Sequence, residues 1–246
     1  MQLQDILYSQ GFGTRRVCAG LVQHGLVAIQ ESGSKEMQLC TDPLQSVREE
    51  GLLFNVQGMD WHYQSKAYVV LHKPVGFECS QKPSAYPSVY TLLPAPLRQR
   101  PGRNATDGVQ ACGRLDQDTS GLLLLSDDGQ FLHRMASPKK RISKVYQVTT
   151  RHPVTQEQMD RLLAGVTLND DPRPVQAAAC ERTDECRMDL TLTQGKYHQV
   201  KRMVAAAGNR VEALHRSQVG RLVLPDDLLA GQWRWLNEAE LALLSA

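Results

Sequence analysis

The chain has 246 residues, enough for one large domain or a small one followed by a medium one, and its 41% apolar and 22% charged residues describe a globular protein with a real core. Its longest apolar run falls far short of the roughly 20 residues of a membrane span, and no basic-then-apolar secretory pattern opens it, so a cytoplasmic protein with no membrane partner is expected. Six cysteines without a CxxC pair and seven histidines without zinc-like spacing give no metal site to predict, and the net charge of +2 hides a split of −3 over residues 1–60 and +5 over the remainder.

Leu3, Ile6 and Leu7 recur at helical spacing, and Gly11 and Gly13 break that helix. Thr14 is a plausible N-cap for a second helix whose apolar face is Val17, Leu21 and Val22, stopped at Gly25. Val27 and Ile29, then Leu52, Phe54 and Val56, read as strands, so residues 1–60 make a small α/β unit. A change of character near Met59 to Ser65 marks a boundary, which gives domains over 1–60 and 61–246. Lys66 to Leu71 reads as a strand that Pro74 ends, with Lys73 either facing a ligand or at a solvated strand end. Residues 94–112 are rich in Pro, Gly and Arg without periodicity and read as a surface loop.

The most informative stretch is Gly113 to Ser126, in which a polar loop carrying Arg114, Asp116 and Asp118 runs into an apolar strand. A short acidic segment on a rigid, buried element is how a scaffold presents a carboxylate to a ligand. Asp127-Asp128-Gly129 is a turn, followed by a helix start over Gln130 to Met135. Residues 134–151 hold six basic residues (Arg134, Lys139, Lys140, Arg141, Lys144 and Arg151) and no acid; beside the carboxylate loop this favours a phosphate track. Within it Lys144 to Val148 reads as a strand with Tyr146 on the face opposite Val145 and Gln147. Thr155 with Gln158 forms a capping box, and Gln176 to Arg182 and Cys186 to Thr193 pair as strands. Gly195 to Met203 enters a helix that ends at Gly208, and Asn237 with Glu240 caps the last helix.

The segment GRLDQDTSGLLLLSDDGQFLHRM resembles the catalytic signature of pseudouridine synthases, in the RsuA-like branch typified by the small-subunit ribosomal RNA enzyme. KPVGFECS, the KVYQV strand, GKYHQVKRM and ALHRSQVGRLVL resemble further motifs of that family, so the likeness spans nearly the whole chain. GFGTRRVCAGLVQHGLVAIQESG resembles the small RNA-binding domain shared with ribosomal small-subunit protein four, although its basic opening is replaced by Gln2, Gln4 and Asp5.

The resemblance implies an α+β fold: a pseudouridine synthase catalytic domain on a mainly antiparallel central sheet, preceded by the small α/β S-four-like domain. It implies Asp116 as the catalytic carboxylate, Lys201 as its cationic partner with Arg202 as the fallback, and Tyr146 as the ring that stacks on the target base. Leu214 would pack near that base. Arg216 would contact the RNA backbone, together with Arg114, Lys139, Lys140, Arg141, Lys144 and Lys196, and Arg15 and Arg16 would face phosphate from the small domain. From the composition of the 94–112 segment, Arg98, Arg100 and Arg103 either close over RNA or are simply solvent-exposed, and Asp118, the rival carboxylate, is read as a solvent-facing or loop-capping group. The reaction calls for no cofactor. The expected partner is ribosomal RNA, 16S RNA or a small-subunit assembly intermediate, acted on by a monomer. A sister synthase acting on large-subunit RNA and a non-catalytic RNA-binding assembly factor are the alternative readings.

Overall fold

The computed structural model describes residues 1–30, 33, 35–102, 108–169 and 171–244, the side chains of 171 and 172 excepted, so Arg103 lies outside the described residues. The chain divides into two compact units, residues 1–67 with 93–110 and residues 68–92 with 111–246.

The first unit opens with α1 (Leu3–Gln10) and α2 (Arg15–Gln23). Thr14 caps α2 by accepting a hydrogen bond from the Val17 amide at 3.3 Å. The strands β1 (Val27–Gln30), β2 (Gln38–Cys40), β3 (Leu53–Val56) and β4 (Met59–His62) form an antiparallel sheet in the order β2-β1-β3-β4. Its core joins Leu3, Ile6, Leu7, Cys18, Val22, Phe54 and Trp61. The ring of Phe12 meets Phe54 and Trp61 edge-on. Val17, expected inside, is 51% exposed; the buried pair is Cys18 and Val22, one turn apart on the neighbouring face of α2. The expected boundary at residue 60 falls within β4, and the compact unit continues to Ala67.

The expected loop over 94–112 contains a helix, α3 (Ala95–Gln99), with Pro96 in its first turn, where a missing amide costs nothing. Leu97 is fully buried and Arg100 only 2% exposed. The Arg100 guanidinium donates to Gln10 Oε1 at 2.9 Å and to the Gln64 carbonyl at 2.8 Å. Arg100 therefore serves the core of this unit, and the expectation that it closes over RNA is corrected.

The two residues of β6 (Gln110–Ala111) fall one in each unit, and the second unit contains β5 (Tyr68–Lys73), β7 (Thr119–Ser126), α4 (Gly129–Ala136), β8 (Lys144–Thr150) and α5 (Gln156–Ala164). It continues through β9 (Val166–Leu168), β10 (Asp171–Val175), β11 (Ala179–Asp184), β12 (Arg187–Leu192) and α6 (Gln199–Ala206). It ends with β13 (Val211–Val219), β14 (Leu222–Val223), β15 (Trp233–Trp235) and α7 (Glu238–Leu243). The main sheet has the path β11-β12-β8-β13-β7-β5-β15, and only the β13–β7 pairing along that path is parallel. The fold is therefore α+β on a mainly antiparallel sheet.

The run Leu122 to Leu125 is buried on both faces of β7, as a continuous apolar run in a central strand requires. Helices α5 and α6 supply Leu162, Met203 and Val204 to a core with Val148, Leu190 and Leu214, while α4 supplies Phe131 and Met135 to another with Val70, Leu122 and Leu124. Both expected capping boxes, Thr155 with Gln158 and Asn237 with Glu240, are formed. No helix among the described residues is long and apolar enough to cross a membrane.

Candidate active site

The carboxylate loop is fixed from below before it presents anything. Leu115 is buried, and the Thr119 amide donates to the Asp116 carbonyl at 3.1 Å, which closes a tight turn at the mouth of β7. Lys73, at the end of β5, is 0% exposed. Its ammonium donates to the carbonyls of Asp116 at 3.0 Å, Thr119 at 2.8 Å and Pro74 at 3.0 Å. Burial pulls its pKa below the ordinary lysine value. Neither sequence expectation for Lys73 is met: it is neither ligand-facing nor solvated, but ties the loop backbone to the strand.

Above this support lies a cavity of about 370 Å³, within the roughly 300–1,000 Å³ of pockets that hold small ligands. Asp116 and Tyr146 line it together with Lys201, Arg114, Lys144, Lys196, Leu214 and Arg216. Residues more than 80 positions apart in sequence converge here. Asp116 comes from the loop before β7, Tyr146 from β8, Lys201 from the first turn of α6, and Leu214 and Arg216 from β13. In the sheet register Tyr146 stands opposite Arg216, and Leu214 opposite Val148. Arg216 is buried, its Nε donating to the Leu122 carbonyl at 2.8 Å.

The charges are tightly matched. Lys201 Nζ lies 3.2 Å from Asp116 Oδ2 and 2.5 Å from Asp118 Oδ1. Burial would lower the pKa of Lys201, but the hydrogen bond to Asp118 and the charge of Asp116 outweigh it and raise the value. Burial would likewise raise Asp118, but the hydrogen bond and charge of Lys201 prevail and hold it below the ordinary carboxylate range. Asp118 is thus more than the solvent-facing group expected, since it holds the shorter bond to the shared cation. On the other side, His198 Nε2 lies 3.3 Å from Asp116 Oδ1. Lys144, half-buried, has its pKa lowered by burial and by Arg216, and donates to the Ile142 carbonyl at 2.8 Å.

The other expected contacts lie elsewhere. Lys139, Lys140 and Arg141 are exposed on the short turn after α4, next to the lining residues Ser137 and Pro138. Arg202 donates to the Tyr197 carbonyl at 3.2 Å, and among the described residues the ion pairs of Asp116 are with Lys201 and His198, so the fallback pairing is not formed. In the first unit Arg15 is ion-paired with Asp5 at 2.9 Å and lies over the Tyr8 ring, while Arg16 is exposed. Sequence reasoning passed over His198 and Tyr197. The available signal was the spacing in GKYHQVKRM, where His198 precedes Lys201 by three and so reaches the same side of a helix start.

A family model described as RNA pseudouridylate synthase matches residues 67–206. Over 201 residues the chain is 37% identical to the ribosomal small subunit pseudouridine synthase A of Haemophilus influenzae, covering 82% of this chain and 83% of that protein. It is 32% identical over 246 residues to the protein of the same name from Vibrio parahaemolyticus, covering 98% of this chain and 97% of that one. A solved structure, a crystal structure of pseudouridylate synthase, superposes with a TM-score of 0.66 at 31% identity and covers 99% of each chain. The family match runs from the start of β5 to the end of α6 and so takes in Asp116, Tyr146 and Lys201. With the fold, the matched span and the relatives in agreement, the chain belongs to the RNA pseudouridylate synthase family.

Proposed function

We propose that the protein converts a uridine of ribosomal RNA to pseudouridine, acting on the 16S RNA of the small subunit or on an intermediate of its assembly, as a cytoplasmic monomer. The names and near-complete coverage of the relatives support the small-subunit substrate. Asp116 is the catalytic carboxylate, Lys201 its cationic partner and Tyr146 the ring against which the extruded base stacks. The observation that carries this reading is the 3.2 Å pair of Lys201 and Asp116 in a cavity that Tyr146 also lines.

The chemistry asks for these groups. The C1′–N1 bond of the uridine breaks, the uracil turns, C1′ bonds to C5, the C5 proton leaves and N1 gains one; nothing is oxidised and no group arrives. Extruding the base costs a few kcal/mol, which stacking on an aromatic ring offsets by about 1–3 kcal/mol. Attack on C1′ and removal of the C2′ proton both use an ionised carboxylate, and a cation within about 4–6 Å keeps one ionised where water is scarce. Arg114 and Lys196 at the cavity, Lys144 beside them and Lys139, Lys140 and Arg141 outside it give the RNA backbone its cationic path, whereas Arg216, 4% exposed and bonded to the Leu122 carbonyl, is held in the sheet and does not serve as the backbone contact expected of it. The first unit is the S-four-like RNA-binding domain, which with its net acidic residues 1–60 binds RNA only weakly by itself; Arg16 is the freer of its two phosphate-facing arginines, since Arg15 is engaged by Asp5.

Carbodiimide mapping with primer extension on ribosomal RNA from cells with and without the gene tests this. One pseudouridine stop lost from 16S RNA is the expected result. A stop lost instead from large-subunit RNA would move the substrate, and unchanged maps of both subunits would favour an assembly factor.

A further inference from the structure

Tyr197 is 68% exposed, more than any other large apolar or aromatic side chain among the described residues. One face of its ring is stacked on His198, with centroids 3.8 Å apart and planes 18° from parallel. His198 is itself held in the left-handed region at φ 47°, a conformation uncommon for residues other than glycine. Its Nε2 is anchored 3.3 Å from Asp116 Oδ1. Arg202 bonds the Tyr197 carbonyl, so the backbone beneath the ring is fixed as well. The Gly195–His198 turn therefore projects a two-ring stack at the lip of the cavity that Tyr146 lines from within.

We infer that the Tyr197–His198 stack is a second base-binding platform, which takes the nucleobase next in the strand to the uridine held in the cavity; this rests on the RNA-modifying reading above. Pulling one base out of a strand removes a stacking partner from each of its neighbours, and the open face of Tyr197 supplies a replacement. The result is a continuous stack of base, Tyr197 and His198, its last ring against Asp116. Every base has a π-face, so such a platform tolerates sequence while fixing the register of the strand. Lys196, beside it in the same turn, adds positive charge for the phosphate between the two nucleotides.

The test uses the full-length protein and nine-residue oligouridylates in which 2-aminopurine replaces the residue on either the 5′ or the 3′ side of the central uridine. Stacking on Tyr197 quenches one of the two probes. Y197A abolishes that quenching and weakens binding by roughly 5- to 150-fold, whereas Y197F retains both. Quenching of neither probe, or quenching unchanged in Y197A, overturns the platform. Tritium release from small-subunit RNA labelled at uridine C5, measured in parallel, keeps the two claims apart. Release without Tyr197-dependent quenching leaves the enzymatic reading standing and the platform refuted. Tyr197-dependent quenching without release leaves Tyr197 as a base-stacking surface but overturns the enzymatic reading and, with it, the platform's place beside a uridine under modification.

Discussion

Lys201 serves two carboxylates, and the shorter of its bonds goes to Asp118 rather than Asp116. Bond length does not decide which one reacts, because position does: Asp116 lines the cavity with Tyr146, while the Asp118 side chain is about half exposed beside it. Asp116→Asn is expected to lower turnover by about 10²–10⁴-fold or more with RNA binding largely kept, and Asp118→Asn to retain most turnover. Equal losses in the two variants, measured as single-turnover rates, would reverse the assignment. Because the pKa of Asp118 is lowered in the fold, its pair with Lys201 stabilises the protein above the ordinary carboxylate value of about 3.9 and ceases to do so as pH falls through the lower folded value. The raised pKa of Lys201 keeps the same pair intact up to its ordinary value of about 10.4, and it is lost only as pH rises through the higher folded one. The stability difference between the native protein and Asp118→Asn should thus be flat through neutrality and shrink in acid; a constant difference along the acid limb of a denaturation series would contradict it.

Strand β7 has a glycine between Ser120 and Leu122. Gly121 lies at φ 111°, and a Cβ there would overlap the carbonyl oxygen of Arg216, its partner in the parallel register with β13. This close approach brings Arg216 and Leu214 alongside the loop that carries Asp116. Gly121→Ala combines a disfavoured φ with a clash against backbone that cannot rotate away, so a loss of about 3 kcal/mol or more is expected by chemical denaturation. A loss below about 1 kcal/mol would mean that the two strands separate freely. Elements of this kind were legible because their signals are local. The four leucines marked a central strand, the GRLD segment marked a presented carboxylate, and Thr14, Thr155 and Asn237 marked helix starts. The rest depended on contacts distant in sequence. Lys73 read as ligand-facing or solvated because the carbonyls of Asp116 and Thr119 that bury its ammonium lie 43 and 46 residues further on, and His198 looked like one more helix residue because nothing nearby announces a positive φ. Helix α3 was hidden by its composition, since Pro94, Pro96 and the arginines read as loop until Leu97 and Arg100 are seen to be buried.

That burial bears on how the molecule can be divided. A cut at residue 60, where composition changes, separates α3 from the helices and strands with which it forms one compact unit. Removing residues 1–60 deletes Gln10, whose side chain receives the Arg100 guanidinium, along with Leu7 and Phe12 of the core that α3 completes. The Arg100 guanidinium then keeps the Gln64 carbonyl but loses the Gln10 Oε1 acceptor, which for a buried donor costs about 1–3 kcal/mol. Leu97 would be left with little to pack on. The segment 93–110 should then open, and trypsin should cut after Arg98, inside α3, in a chain of residues 61–246 far faster than in the full-length protein, where the helix is held by the buried Leu97; the Arg100–Pro101 bond resists trypsin in both. Equal cleavage rates in the two chains would show that α3 is held without residues 1–60. A faster rate would mean that the acidic N-terminal part cannot be discarded as a detachable module, because it supplies the core on which α3 folds.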